Sequence, residues 1–351
     1  PATMRANASQ HYEGEICDAT ILSPMCSSTP SQGGYNFLGY QLTYWQYIDK
    51  LVYWAGSASE GIIIPPPAGY TDAAHAQGVK SLGQIFFPPK AFGGKKEWVD
   101  EMLTVENGEY IFARKCYEIA KYMGFDGWFI NEETGYDADA WALWIKAYMD
   151  IAEADGNPGQ EIQWYNASRR PSTAVLKTHK NTSQFLEYGA VGDYRSYASQ
   201  IGCTEAETFS KIYAGVQVAQ SGHTGFRSLL RKAMPASGHV GSLDLFCPEE
   251  RTWKALTGSL LNTADACGEA AYDAITRSFG NEEDMWVNFS GDPSATPASG
   301  WPGISGAVVE RSAITSLPFV STMSTGVGKH RFIEGEIRGT RDWHHAGMQS
   351  V

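Results

Sequence analysis

Short apolar runs alternate with helix-period segments from about residue 51 to residue 246, and this alternation limits the possible folds more than any other feature. Runs at Leu51–Trp54, Val79–Phe87, Phe125–Asn131, Glu161–Tyr165, Tyr213–Val218 and Ser242–Phe246 read as strands. Between them, Ile111, Phe112, Cys116, Ile119, Ala120 and Met123 share one helical face, and Gly124 ends that run. From 137 to 152, Trp141, Trp144, Ile145, Tyr148 and Ile151 recur at helical spacing behind Asp137, an expected N-cap. Strands that alternate with helices make right-handed βαβ units and a parallel sheet. Six such strands over about 250 residues suit a (β/α)8 barrel of the TIM type, an α/β fold, with two strands of weaker pattern still to find. A doubly wound sheet is the competitor. It usually carries a glycine-rich phosphate turn, and no GxGxxG or P-loop is present.

The ends of the chain read differently. Residues 1–40 are punctuated by Ser, Gly and Pro and read as an irregular lead-in. After about residue 285, Gly291-Asp-Pro293 and Gly300-Trp-Pro-Gly303 mark turns, and Ala313–Val320 and His330–Ile333 read as strands. The expected division is a barrel with its lead-in over 1–295 and a β-rich segment over 296–351, the truncated start of a sandwich-like module.

Composition narrows the function. Apolar residues make up 43%, enough for a sizeable core. The net charge of −12 offers no basic field for phosphates, so a nucleic-acid partner is not expected. No run reaches the ~18 apolar residues of a membrane helix, and Pro1-Ala-Thr-Met-Arg5 lacks the apolar stretch of a signal peptide. The six cysteines show no CxxC pair and no Cys/His ligand spacing, so no metal and no cofactor are expected. They read as free thiols, with Cys17 and Cys26 the only candidates for a close pair. The 11 tryptophans suit either a rich core or stacking on sugar faces.

The segment Phe125-Asp-Gly-Trp-Phe-Ile-Asn-Glu-Glu133 is apolar except near its end. In a barrel, the C-terminal ends of the strands face the active site. Side chains two apart share a face, so Asn131 and Glu133 point together, and Glu132 is left to solvent or a salt bridge. Ordinary glycosidases use two carboxylates. One acid beside a neutral amide suggests that the substrate supplies the nucleophile, the carbonyl oxygen of a 2-acetamido group. The amide then orients the acetamide, and Glu133 protonates the leaving oxygen and later activates water. The spacing matches the chitinase-type Asp-Gly-x-Asp-x-Asp-x-Glu strand, with Asp126, Gly127, Asn131 and Glu133 at the first, second, sixth and eighth places and Phe129 at the fourth. Asp126 reads as structural.

The chain as a whole resembles glycoside hydrolase family 85, the endo-β-N-acetylglucosaminidases, in its bacterial members. The resemblance rests on Tyr44-Trp-Gln-Tyr-Ile-Asp49, Val52-Tyr-Trp-Ala-Gly-Ser57, Gly61-Ile-Ile-Ile-Pro-Pro66, Asp72-Ala-Ala-His75, Phe86-Phe-Pro-Pro89 and above all Phe125–Glu133. Trp164-Tyr165, Tyr213-Ala-Gly-Val216, Gly291-Asp-Pro293, Trp301-Pro-Gly303 and Pro318-Phe-Val320 extend it. It implies a catalytic barrel followed by β-sandwich domains. It also implies retaining cleavage of the β-1,4 bond in the di-N-acetylchitobiose core of N-linked glycans, with transfer to acceptor alcohols. The family's Asn-x-Glu pair falls on Asn131 and Glu133, and its Trp-Tyr-Asp tyrosine on Tyr165. Substrate-binding positions fall on Asn166 (Asp in the family), Phe92 (Tyr in the family), Gln217 (Asp in the family) and Tyr194; a family tryptophan is replaced near Leu176. Location leans to secreted or extracellular over cytoplasmic, after the bacterial members.

The remaining candidates read mostly as structure. His75 lies on a helix, and the adjacent His344-His345 rings diverge on any regular element. No Gly-x-Ser-x-Gly elbow marks a serine hydrolase. Trp45, Trp54, Trp98 and Trp128 suit a core better than a sugar platform, although Trp128, three residues before Asn131, stays among the substrate-binding candidates. Against the endoglycosidase stand a glycan-binding, lectin-like barrel that has lost catalysis, suggested by Asn166, Leu176 and Gln217, and a chitinase-like hydrolase.

Overall fold

Eight parallel strands close into a ring: β1 Ile16–Thr20, β2 Lys50–Tyr53, β3 Lys80–Phe87, β4 Gly127–Glu132, β5 Glu161–Tyr165, β6 Thr182–Leu186, β7 Ile212–Gln217 and β8 Ser242–Phe246. Each pairs with its neighbour in sequence, and β1 pairs with β8 to complete the barrel. The computed structural model describes residues 5–20, 40–54, 61–255, 269–288, 300–311, 327–328, 330–333, 335–340 and 343–344. The principal helices are α1 Ala68–Ala76, α2 Ile111–Met123, α3 Ala138–Ala154, α4 Thr173–Leu176, α5 Ala198–Ile201, α6 Arg227–Ala233 and α7 Glu269–Val287. The first six connect successive strands from β2 onward, and α7 follows β8. Among the described residues no helix is long and apolar enough to cross a membrane.

Local signals place these elements. Gly124 ends α2 in the left-handed conformation (φ 78°), which glycine adopts at no steric cost. Asp137 caps α3, its carboxylate accepting from the Asp139 amide at 3.0 Å. The six expected strands match β2, β3, β4, β5, β7 and β8 within two residues at each end.

Two strands lacked a visible pattern. β1 lies inside the segment expected to be irregular, and β6 reads Thr-Ser-Gln-Phe-Leu. Both are fully buried despite their polar residues. The parallel ladder satisfies their backbone, so burial asks less of their side chains than a hydropathy pattern assumes.

The barrel interior has a charged floor and a mixed middle, where buried Gln84, Gln163 and Asp244 sit at the register of Phe129 and Cys17. At the N-terminal end, Glu161 bridges Lys50 at 3.0 Å and Lys80 at 2.5 Å, and the Lys50 ammonium lies 4.9 Å from the centre of the Tyr213 ring. Burial pushes the Glu161 carboxyl up, but the two lysines outweigh it and hold the group below its ordinary value. Above lies the cluster of Cys17, Ala19, Val52, Leu82, Phe129 and Tyr213. A second cluster, with Trp128, Ile130, Trp141, Trp144 and Trp164, fills the space between the strands and α2 and α3. The opening is therefore at the C-terminal end.

Asp126 is structural, as read from sequence: one carboxylate oxygen accepts from the Ser81 amide and contacts His75 Nε2, both at 2.8 Å. Cys17, Cys116 and Cys203 are free thiols. Cys26, the strand expected at 313–320 and the division expected near residue 295 lie outside the described residues. Trp301, Ile304 and Val308 pack into the same core cluster as Leu243 and Leu245 of β8. Beyond them, Arg331–Ile333 pairs antiparallel with Glu336–Gly339, and Val327–Gly328 with Trp343–His344.

Candidate active site

A cavity of about 390 Å³ opens where the strands end. It is lined by Trp54 beyond β2, Phe129, Asn131 and Glu133 from β4 and just past it, Tyr165 and Ala167 from β5 and just past it, Phe185, Glu187 and Tyr188 from β6 and just past it, and Phe246 from β8. The size is that of an ordinary small-ligand pocket, roughly 300–1,000 Å³.

Strand alternation decides what β4 sends into it. Phe129 belongs to the interior cluster, while Trp128 and Ile130 pack outward against the helices. Asn131 and Glu133 share the inward face with Phe129. The Asn131 Nδ2 donates to Glu133 Oε1 at 3.0 Å. That bond fixes the amide's orientation and leaves Oδ1 as the free acceptor. Asn131 is wholly buried, and its Oδ1 has no hydrogen-bond partner among the described residues. A buried, unpaired acceptor is costly, so it marks a place for a donor.

Glu133 is half-buried. Burial pushes its carboxyl above the ordinary carboxylate range; the Asn131 hydrogen bond pulls it back somewhat, and Glu187 and Glu132 push it up further. Glu132 points the other way, as the spacing predicts. It is not left to solvent or a salt bridge, however. Buried to 1% exposure, it accepts from the backbone amides of Thr134 (2.7 Å) and Tyr136 (3.0 Å) and from the Thr134 hydroxyl, and so ties down the loop after β4.

Aromatic rings frame the cavity. Trp54 meets Phe246 edge to face at 4.8 Å and Phe129 at 5.7 Å; Tyr165 packs against Phe185 at 5.1 Å. The Tyr165 hydroxyl donates to Glu187 Oε2. Burial first, then Glu187, raise the Tyr165 hydroxyl well above its ordinary range, so it stays protonated.

The other expected substrate contacts lie elsewhere. Trp128 is fully buried behind the strand, its Nε1 donating to the Cys116 carbonyl at 3.1 Å, because even-numbered residues of β4 face the helices. The Asn166 Oδ1 accepts from Gln184 Nε2 at 3.4 Å rather than facing the cavity. Tyr194 is buried in the outer core, where a side chain at Gly241 would meet its ring. Phe92 is 77% exposed on a short turn after β3, and Leu176 is fully buried. Gln217 shares the inward face of β7 with Tyr213 and sits near the mouth, but does not line this cavity.

Sequence reasoning passed over Glu187, Tyr188, Phe185 and Phe246, and took Trp54 as core. The first three follow or belong to β6, which has no apolar run to announce it. The one available signal was the Phe185-Leu186 pair directly before Glu187, which is how a strand end looks.

A family model described as glycosyl hydrolase family 85 matches residues 24–331. The chain is similar to the cytosolic endo-beta-N-acetylglucosaminidase of Danio rerio, 23% identical over 337 residues, covering 89% of this chain and 40% of that protein. The Homo sapiens protein of the same name is 22% identical over 326 residues, covering 89% and 38%. The glycoside hydrolase domain of Endo-D from Streptococcus pneumoniae R6 superposes with a TM-score of 0.72 at 23% identity, over 99% of this chain and 55% of that one. This chain thus spans about 40% of the length of the Danio rerio protein. The Danio rerio and Homo sapiens relatives are named cytosolic, which overturns the secreted or extracellular expectation.

Proposed function

This chain belongs to glycosyl hydrolase family 85, and from that premise we propose that it is an endo-β-N-acetylglucosaminidase acting on N-linked glycans by a substrate-assisted, retaining route. The bond cleaved is the β-1,4 link between the two GlcNAc units of the chitobiose core. Protonated Glu133 gives its proton to the glycosidic oxygen as the C1–O bond breaks. The acetamide carbonyl oxygen of the same sugar attacks C1 and closes an oxazolinium ring that keeps its N–H. The acetamide N–H donates to Asn131 Oδ1, which aligns the internal nucleophile and stabilises the charge spreading onto nitrogen. Glu133, now a carboxylate, takes a proton from water, which opens the ring from the first leaving group's side. Two inversions give retention. An acceptor alcohol in place of that water gives transglycosylation.

The observation that carries this reading is the buried, unpaired Oδ1 of Asn131 next to the acid it orients. The cytosolic names of the relatives support a cytosolic pool of glycans for this chain as well. Incubation with a high-mannose glycoprotein tests the reading. The expected products are a protein with one GlcNAc per site and a free glycan ending in one GlcNAc. Tight binding without release would instead make the barrel a lectin.

A further inference from the structure

We propose that Glu187 is a positioning residue of this same site: it accepts the Tyr165 hydroxyl proton, so fixing the phenol at the cavity wall, and it sets a second carboxylate in the space that Glu133 faces. The inference rests on the endoglycosidase reading for its consequence, though not for its electrostatics.

The geometry comes from two neighbouring strand ends. Glu187 directly follows β6, and its amide donates to the Ser168 carbonyl beyond β5 at 2.8 Å, which pins the two loops together. From there its Oε2 takes the Tyr165 hydroxyl. A phenol has one proton to give. With that proton engaged by Glu187, the Tyr165 oxygen meets the cavity as an acceptor.

The charge is uncompensated. No Lys, Arg or His is among the described residues that line the cavity. The polar groups around Glu133 are Asn131 and Glu132 on its own strand, Tyr165 from β5, and Glu187 and Tyr188 from β6; Cys247 and Asp244 of the β8 side face Tyr188. Glu132 spends its oxygens on Thr134 and Tyr136 behind the strand, so Glu187 is the like charge on the cavity side. A neighbouring anion disfavours ionisation of an acid. Glu187 therefore keeps Glu133 protonated to higher pH and widens the range in which it acts as an acid.

Titrating the Glu133 side-chain carboxyl by ¹³C NMR reads this without turnover, with the signal assigned by its loss in Glu133→Gln. Glu187→Gln keeps an acceptor for Tyr165 but removes the charge; the Glu133 midpoint and the alkaline limb of kcat/KM fall by about 0.5–1 pH unit. Glu187→Ala gives the same fall and loses about ten-fold more kcat than Glu187→Gln, a loss that Tyr165→Phe reproduces without the fall in midpoint. An unmoved midpoint in both Glu187 variants overturns the charge. Equal kcat in the Gln and Ala variants overturns the hydrogen bond. A midpoint that falls in an enzyme releasing no glycan sustains the inference and removes the endoglycosidase reading.

Discussion

Two adjacent glutamates at the end of β4 do opposite jobs because a strand sends successive side chains to opposite faces. Glu133 lines the cavity; Glu132 holds the loop behind it. Glu133→Gln removes the only protonated acid proposed for the leaving group, and kcat on glycopeptide falls by about 10³-fold with little change in unfolding free energy. Glu132→Ala orphans two part-buried amides, and costs ~1 kcal/mol in urea unfolding while reducing kcat/KM far less. If the Glu132 variant were the more damaging to catalysis, the facing of the strand would be the reverse of that described. That Asn131 and Glu133 share one face was legible from sequence because period two and a polar strand end are both local patterns. Trp128 was misplaced for the same reason: nearness along the chain puts it beside the pair, whereas alternation puts it behind the wall.

At the scale of elements, close approach and buried acid decide more than hydropathy. Gly127 opens β4 with φ 144°, and a Cβ there would lie 1.9 Å from the Glu161 carbonyl oxygen. Gly127→Ala forces β4 away from β5 and destabilises the barrel by ~3 kcal/mol, measured by denaturant unfolding. β1 shows no apolar run because buried Asp18 lies between Ile16 and Thr20 on its outward face. Asp18 on β1, Glu249 on the short helix after β8 and Glu282 on α7 are all buried together. Burial, reinforced by their mutual repulsion, raises Asp18 strongly and Glu282 to about 8; burial lifts Glu249 to about 7. Carboxyls raised in the fold hold protons that the unfolded chain releases, so their contribution is full below the unfolded value near 4.5 and is lost as pH rises to about 8. His239, lowered to about 4 by burial, acts in the opposite sense only up to about 6.5. Between pH 6.5 and 8, stability should fall at up to about 1.4 kcal/mol per pH unit per carboxyl, and Glu282→Gln should flatten the slope. Stability that rises across that window contradicts the buried cluster.

For the whole molecule, closure of the ring is what turns separate strand ends into one site. β4, β5 and β6 are neighbours, yet Trp54 and Phe246 come from strands on the far side of the ring order. The architecture was readable because βαβ alternation is a repeated signal, and six of eight strands were enough to name it. The full lining was not, because Glu187, Tyr188 and Phe246 gain meaning only once the barrel brings their strands round. The reaction proposed for that assembled mouth depends on the substrate's own acetamide as nucleophile, with Asn131 aligning it. One comparison tests this most directly: Asn131→Ala assayed on a natural glycopeptide and on a preformed sugar oxazoline, which has already passed the step that Asn131 assists. A loss of about 100-fold or more is expected on the glycopeptide and a much smaller one on the oxazoline; equal losses on both donors would contradict the role of Asn131.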